Sequence, residues 1–298
     1  MRLRCGFLGC RDVFSEPFFA ALQQWGVLAA EGEPVDVGVI ASHGKVLSAA
    51  DLQRYPRGVI NMHPSLLPLY RGAAPAEARA CLFLLLPPSS HVFLPPQWQL
   101  LDGVSRSGIT AVLTTPRVDA GPILAQEAFD IGSDTTRNAL LREAATRGVS
   151  LLERLLCDWE TAVASAWPQE NGGSARRAPK VRREMSRFDW AAWGAGEAVR
   201  RQRALGERFG GLECRFGEKT VKLTGHIEAE LDGADSGSPV AKPGQCEIAW
   251  REGVLRVRVR DGWLRVPRLA VAGAKAPMDA ASFARGHLLR SPDARFTS

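Results

Sequence analysis

The chain has 298 residues, enough for two ordinary domains, and its 45% apolar content is enough to build real cores. Its 38 basic and 32 acidic residues leave a net charge of +6, with a pI near 9.2, which suits a polyanionic partner without demanding one. The six cysteines, at positions 5, 10, 81, 157, 214 and 246, form no Cys-x-x-Cys pair and show no zinc-like or disulfide-like spacing, so reduced thiols in an intracellular compartment are expected. No membrane partner is expected either, because the longest apolar run, Ala80 to Leu86, falls far short of the ~20 residues needed to span a bilayer.

In chain order, Leu3 to Gly9 is predicted as a strand, Cys10 to Phe14 as a turn, and Glu16 to Trp25 as a helix. Val35 to Ser42 is a β-branched run of the kind found in buried parallel strands. A further apolar strand ends in Asn61, Met62 and His63. Ala78 to Val104 is apolar and broken by Pro87, Pro88, Pro95 and Pro96, so residues 78–104 are expected to form an irregular insert. Gly108 to Leu113 reads as another strand, and Asp134 to Trp159 as an amphipathic helix striped by Leu140, Leu141, Leu151, Leu152 and Leu155. This order predicts an α/β fold, a doubly wound and mainly parallel sheet over residues 1–166, with its site at the carboxyl ends of the strands. Gly6 and Gly9 do not complete a G-x-G-x-x-G fingerprint, so no nicotinamide or flavin is expected.

Residues 167–180, rich in Pro, Gly, Ser and Asn, read as a linker, and residues 181–298 as a second domain. Ser186 to Leu205 is predicted as a helix with Arg200, Arg201 and Arg203 near its end, where cations suit the helix dipole. Leu255 to Arg260 then alternates strictly, Asp261-Gly262 makes a hairpin turn, and Trp263 to Val266 returns. Short strands without intervening helices predict a small β-barrel of OB-like type. The hairpin turns Leu255, Val257 and Val259 inward and Arg256, Arg258 and Arg260 outward. Three arginines in register point to phosphate contact, although a plain exposed face stays open on the pattern alone. Lys180, Arg182 and Arg183 belong to a dense basic stretch at the start of this half.

The chemistry concentrates in the run from Val59 to Pro75. Residues two apart on a strand share a face, so Asn61 and His63 leave the sheet edge side by side. A carboxamide donor beside a titratable ring suits a carbonyl oxygen that becomes an oxyanion. Ser65, Leu66, Leu67 and Pro68 follow as a short shelf, and Arg71-Gly72 starts the next turn. Downstream, Asp119-Ala120-Gly121-Pro122-Ile123-Leu124 places a carboxylate in a second strand-end motif.

Together these motifs resemble the signature of the formyltransferases that use 10-formyltetrahydrofolate, in particular the members that act on methionyl-tRNA. The resemblance implies that Asn61, His63 and Asp119 are catalytic and that Ser65, Leu66, Leu67 and Pro68 wall the folate pocket. His43 would be a further pocket-wall residue, at a position where the family usually carries an aromatic. It also implies 10-formyltetrahydrofolate as formyl donor, with no metal and no NAD, and initiator methionyl-tRNA as acceptor. The second domain would be a basic tRNA-binding barrel using Lys180, Arg182, Arg183, Arg256, Arg258 and Arg260. A monomer is expected, in the mitochondrial matrix or, for a bacterial chain, the cytoplasm.

Two departures from the family pattern stand out. Only about ten residues separate Leu22 from Glu33, so a second strand and a basic loop of the family are expected to be missing. The insert at 78–104 replaces a helix that the family places after Ala-Ala-Pro. Two alternatives follow. One is a related formyl-group enzyme acting on a small amine or hydrolysing formyl-folate. The other is an inactive form that retains RNA binding.

Overall fold

The computed structural model describes residues 3–72, 95–170, 177–232, 242–290 and 295–297. The chain divides into two compact units, residues 1–99 with 104–180, and residues 100–103 with 181–298. Among the described residues, no helix is long and apolar enough to cross a membrane.

The first unit is built on a five-stranded sheet of β1 (Cys5–Gly9), β2 (Val37–Ala41), β3 (Val59–His63), β5 (Arg106–Leu113) and β6 (Ile123–Asp130), in that spatial order. The sheet is mixed: β1–β2 and β2–β3 are parallel, whereas β3–β5 and β5–β6 are antiparallel. β2 is buried along its whole length, as its unbroken apolar run requires for a strand covered on both faces. Gly6 and Gly38 lie opposite one another on β1 and β2, and a Cβ at either would meet the ring of Tyr55 at 2.9 or 3.1 Å. That packing is the service Gly6 performs.

α1 (Glu16–Gln24) and α4 (Arg137–Cys157) pack together on the sheet. α4 turns Leu140, Leu141, Ala144, Ala145, Gly148, Leu151, Leu152 and Leu155 inward at the three- and four-residue spacing of a buried helix face. Gly148 lets the two helices approach, since a Cβ there would sit 2.6 Å from the Phe18 ring. Short helices α2 (Ala49–Leu52) and α5 (Trp159–Ala164) complete the connections, and β4 (Arg71–Gly72) pairs in parallel with β7 (Arg177–Ala178).

Between α1 and β2, no full strand forms among the described residues. Leu28 makes one parallel bridge to Cys5, with Cys5 N donating to Val27 O at 2.8 Å and Ala29 N to Cys5 O at 2.9 Å. Three residues thus cover the outer edge of β1 where a strand is missing.

Of the expected insert, residues 78–94 lie outside the described residues, as do Ala73 to Pro75 of the motif run. Its last part departs from the expected irregularity, because Pro95–Asp102 is a helix, α3. The two prolines that argued against a helix occupy its first turn, where a missing N–H costs no hydrogen bond.

The second unit contains two antiparallel sheets. One orders β10 (Glu228–Leu231), β13 (Gly262–Val266), β12 (Val254–Val259) and β11 (Cys246–Ala249); the other orders β15 (Met278–Asp279), β14 (Arg268–Val271), β9 (Lys219–Thr224), β8 (Leu212–Phe216) and β16 (Phe296–Thr297). Leu212, Val221 and Leu223 of one sheet and Leu255, Val257, Leu264 and Val266 of the other fill one core, closed by α6 (Ala195–Phe209) and α7 (Ala280–Phe283). This barrel-like closure agrees with the small-barrel expectation.

α6 starts nine residues later than its pattern predicted and runs on to Phe209. Asp189 accepts from the amides of Ala191 and Ala192 and holds a turn there, while Asp261 Oδ1 caps the helix by accepting from Ala195 N at 2.7 Å. Arg200 and Arg201 therefore lie inside the helix rather than at its end. Both pair with Glu197, and Arg201 also stacks over Trp193.

Candidate active site

β3 is parallel to β2, so its carboxyl end carries Asn61 and His63 out beside the loop that follows β2. Asp119 arrives from the turn between β5 and β6. Asn61 Nδ2 donates to Asp119 Oδ1 at 3.0 Å, and His63 Nε2 lies 3.4 Å from Asp119 Oδ2. The His63 and Asp119 side chains are only 7% and 10% exposed, so this trio interacts with little screening by water.

The hydrogen-bond pattern assigns the histidine tautomer. Ser65 Oγ donates its single proton to Leu69 O at 2.9 Å, so it must accept from His63 Nδ1, also 2.9 Å away. With Nδ1 committed as a donor, Nε2 is the nitrogen through which His63 exchanges a proton, and it faces Asp119.

The shelf of Ser65 to Pro68 is held from beneath by Thr110 on β5. Its hydroxyl donates to Ser65 O at 2.6 Å and accepts from Leu67 N at 3.1 Å and Gln126 Nε2 at 2.9 Å. Gln126 also donates to Leu67 O at 2.8 Å, and Gln99 Nε2 to Pro64 O at 3.0 Å. Leu67 is buried with Val112 and Ile123, and Pro68 is half-buried. Leu66 lies over Gly108, where a Cβ would stand 2.3 Å from Leu66 Cδ2. Pro64 O, Ser65 O and both backbone groups of Leu67 are thus satisfied by the buried Thr110 and Gln99 and the half-buried Gln126, which is a rigid arrangement.

The Asp-x-Gly spacing has a steric reason. A Cβ on Gly121 would sit 1.7 Å from the Leu113 carbonyl oxygen, so only glycine lets the chain turn here. His43 follows β2 and is half-buried. Burial, helped by Lys45 and opposed by Asp51, holds its pKa below the ordinary 6.5. A ring that stays neutral suits a pocket wall.

Thr110, Gln126 and Gln99 were not among the residues expected at the site. Thr110 left one signal, a lone polar residue in an apolar strand that needs a buried partner. Gln169, whose Nε2 donates to Asp119 O and Gly121 O at 2.8 Å each, left none, because it sits in the segment read as a linker.

Of the six expected RNA-contacting cations, Lys180 in the first unit and Arg182 and Arg183 in the second are exposed, Arg183 while also pairing with Glu213 at 3.3 Å. Arg260 is exposed at the hairpin turn. Arg256 and Arg258 are otherwise engaged. Arg256 pairs with Glu230 and Glu247, Arg258 is bidentate to Asp232 at 2.6 and 2.7 Å, and both lie over Trp263. The acidic partners come from β10, the residue after it and β11, so the hairpin read alone concealed a face of mixed charge.

A family profile described as formyl transferase matches residues 26–81, and one described as formyl transferase, C-terminal domain, matches residues 180–288. A methionyl-tRNA formyltransferase of Heliobacterium modesticaldum is 31% identical over 265 residues, covering 88% of this chain and 75% of that protein. The mitochondrial methionyl-tRNA formyltransferase of Mus musculus is 30% identical over 258 residues, covering 85% of this chain. This chain spans 60% of that mouse protein's length. Among solved structures, HypX from Aquifex aeolicus in complex with tetrahydrofolic acid has a similar fold, with TM-score 0.64 and 17% identity over 97% of this chain and 48% of that one. A methionyl-tRNA formyltransferase from Clostridium thermocellum superposes with TM-score 0.52 and 12% identity, covering 87% of this chain and all 100% of that one.

Proposed function

We propose, since this chain belongs to the formyltransferase family, that it transfers a formyl group from 10-formyltetrahydrofolate to the α-amino group of methionyl-tRNA. The observation that carries this reading is the buried contact of Asn61 and His63 with Asp119 at the carboxyl end of β3. The amine nitrogen attacks the formyl carbon, and the carbonyl oxygen becomes an oxyanion. Asn61 has two N–H groups: one holds Asp119, and the other donates to that oxygen together with His63. Asp119 takes the amine proton through a water and passes it to His63 Nε2, which it faces. So protonated, the ring donates to the oxyanion; the bond from carbon to N10 then breaks, and the Nε2 proton goes to the departing nitrogen. An α-amino group has a reference pKa of about 7.7–8.0, so a useful neutral fraction exists at physiological pH.

The folate lies against Ser65, Leu66, Leu67, Pro68 and His43. Lys180, Arg182, Arg183 and Arg260 supply the exposed cations for the tRNA. The protein acts as a monomer, in the mitochondrial matrix or, if the chain is bacterial, in the cytoplasm; relatives of both origins support either setting.

The test is an incubation of purified protein with 10-formyltetrahydrofolate and charged initiator methionyl-tRNA, scoring formyl-methionine on the tRNA. Transfer that vanishes in His63→Ala is expected. A folded protein that binds the tRNA but transfers nothing would replace this reading with that of an inactive RNA-binding form.

A further inference from the structure

We infer that Gln169 is a positioning residue for Asp119 and that Arg71 holds it in that role. The inference deepens the reading above and rests on Asp119 taking part in formyl transfer. Asp119 has φ +50°, a left-handed backbone that is uncommon for residues other than glycine and that Asp adopts more readily than most. Two carbonyls of its turn, Asp119 O and Gly121 O, both accept from Gln169 Nε2, each at 2.8 Å. One carboxamide therefore spends both of its N–H groups on this turn.

Arg71 determines which end of that carboxamide faces the turn. Gln169 Oε1 accepts from Arg71 Nε at 3.0 Å and Nη2 at 2.6 Å. A guanidinium has donors only, so the amide oxygen must face it and the NH2 must face Asp119. The chain on either side of Gln169 is also tied down. Trp167 exchanges two backbone bonds with Ile123, at 2.8 and 3.0 Å, and Arg177–Ala178 pairs with Arg71–Gly72. Arg71 follows the shelf that leaves Asn61 and His63, and Gln169 reaches the turn bearing Asp119. One side chain thus links the two stretches of sequence that must meet in the trio.

Gln169→Glu separates this role from a merely structural one. It keeps an acceptor for Arg71 but turns a carboxylate oxygen, instead of two N–H groups, on the carbonyls of Asp119 and Gly121. Misplacement of a reacting group by about 1 Å can cost roughly 100-fold. The expected result is a kcat per folded molecule lower by about tenfold or more, with KM for both substrates within about twofold. Combined with Asp119→Ala, the substitution should add no further loss, because it acts through Asp119. Should Gln169→Glu fold poorly, Gln169→Met, uncharged and of similar length, is expected to give the same split. Wild-type kcat in these variants, or losses that add fully to Asp119→Ala, would overturn the inference. Full turnover in Asp119→Ala alone would instead remove the role of Asp119 on which the inference rests.

Discussion

At the site, single hydrogen-bond donors and acceptors decide what each residue can do. Asn61 divides its two N–H groups between Asp119 and the oxygen that becomes charged, so Asn61→Ala is expected to lower kcat by about 10²–10³ in single-turnover transfer, with tRNA binding unchanged. Retention of rate would remove Asn61 from the oxyanion site. Ser65 is the acceptor that assigns the His63 tautomer. Ser65→Ala should therefore forfeit part of the about 10²–10⁴-fold that positioned proton transfer supplies, visible in kcat before KM. A change confined to KM would show Ser65 to be pocket wall alone. Asn61 and His63 could be read in sequence because their pairing depends only on strand periodicity. Ser65 was read as pocket wall, and its hydrogen bond to the ring appeared only once Leu69 O was placed.

At the scale of elements, close approach and long-range capping decide what periodicity cannot. Gly121 carries the turn that presents Asp119, and Gly121→Ala would press a Cβ onto the Leu113 carbonyl. The expected outcome is a lower melting temperature together with a lower kcat; an unchanged melting temperature would show that the turn relaxes cheaply. On the hairpin, Arg258 is bound to Asp232, so Arg258→Ala should lower thermal stability while leaving the salt dependence of tRNA binding nearly intact. Replacing Lys180, Arg182 and Arg183 by alanine should instead reduce the slope of log affinity against log salt by roughly 0.7–0.9 for each phosphate that is no longer neutralised. The reverse pattern would return the hairpin face to the RNA site. The late start of α6 belongs to this scale as well. Its cap, Asp261, lies sixty-six residues away in sequence, beyond the reach of any local pattern.

For the whole molecule, two half-buried histidines shape the response to pH. His43 and His287 both titrate below the ordinary 6.5, chiefly through burial, with Lys45 acting on the first and Lys219 and Arg290 on the second. The unfolded chain therefore binds more protons than the folded one as pH falls. This contribution to stability is fully present above 6.5 and is lost as pH falls through the ordinary value toward the lowered ones. Thermal unfolding followed from about pH 7.5 to about pH 5.5 should show falling stability, and His43→Gln with His287→Gln should flatten that slope. An equal slope in the double variant would assign the effect to other groups.

The α/β order of the first half, the antiparallel barrel-like second half and the neighbouring exits of Asn61 and His63 were determined by the sequence itself. Each depends on a short-range repeat: period two in strands, period three to four in α4, and a two-residue spacing in the motif. Tertiary structure alone decided the rest. It covered the edge of β1 with Val27 to Ala29 in place of a strand, bound Arg256 and Arg258 to carboxylates from elsewhere in their sheet, and set Gln169 of the linker-like segment between Arg71 and the Asp119 turn. The physical reason is common to all three. A hydrogen bond or ion pair between residues distant in sequence leaves no periodic trace, and it exists only once the backbone has brought donor and acceptor to within about 3 Å.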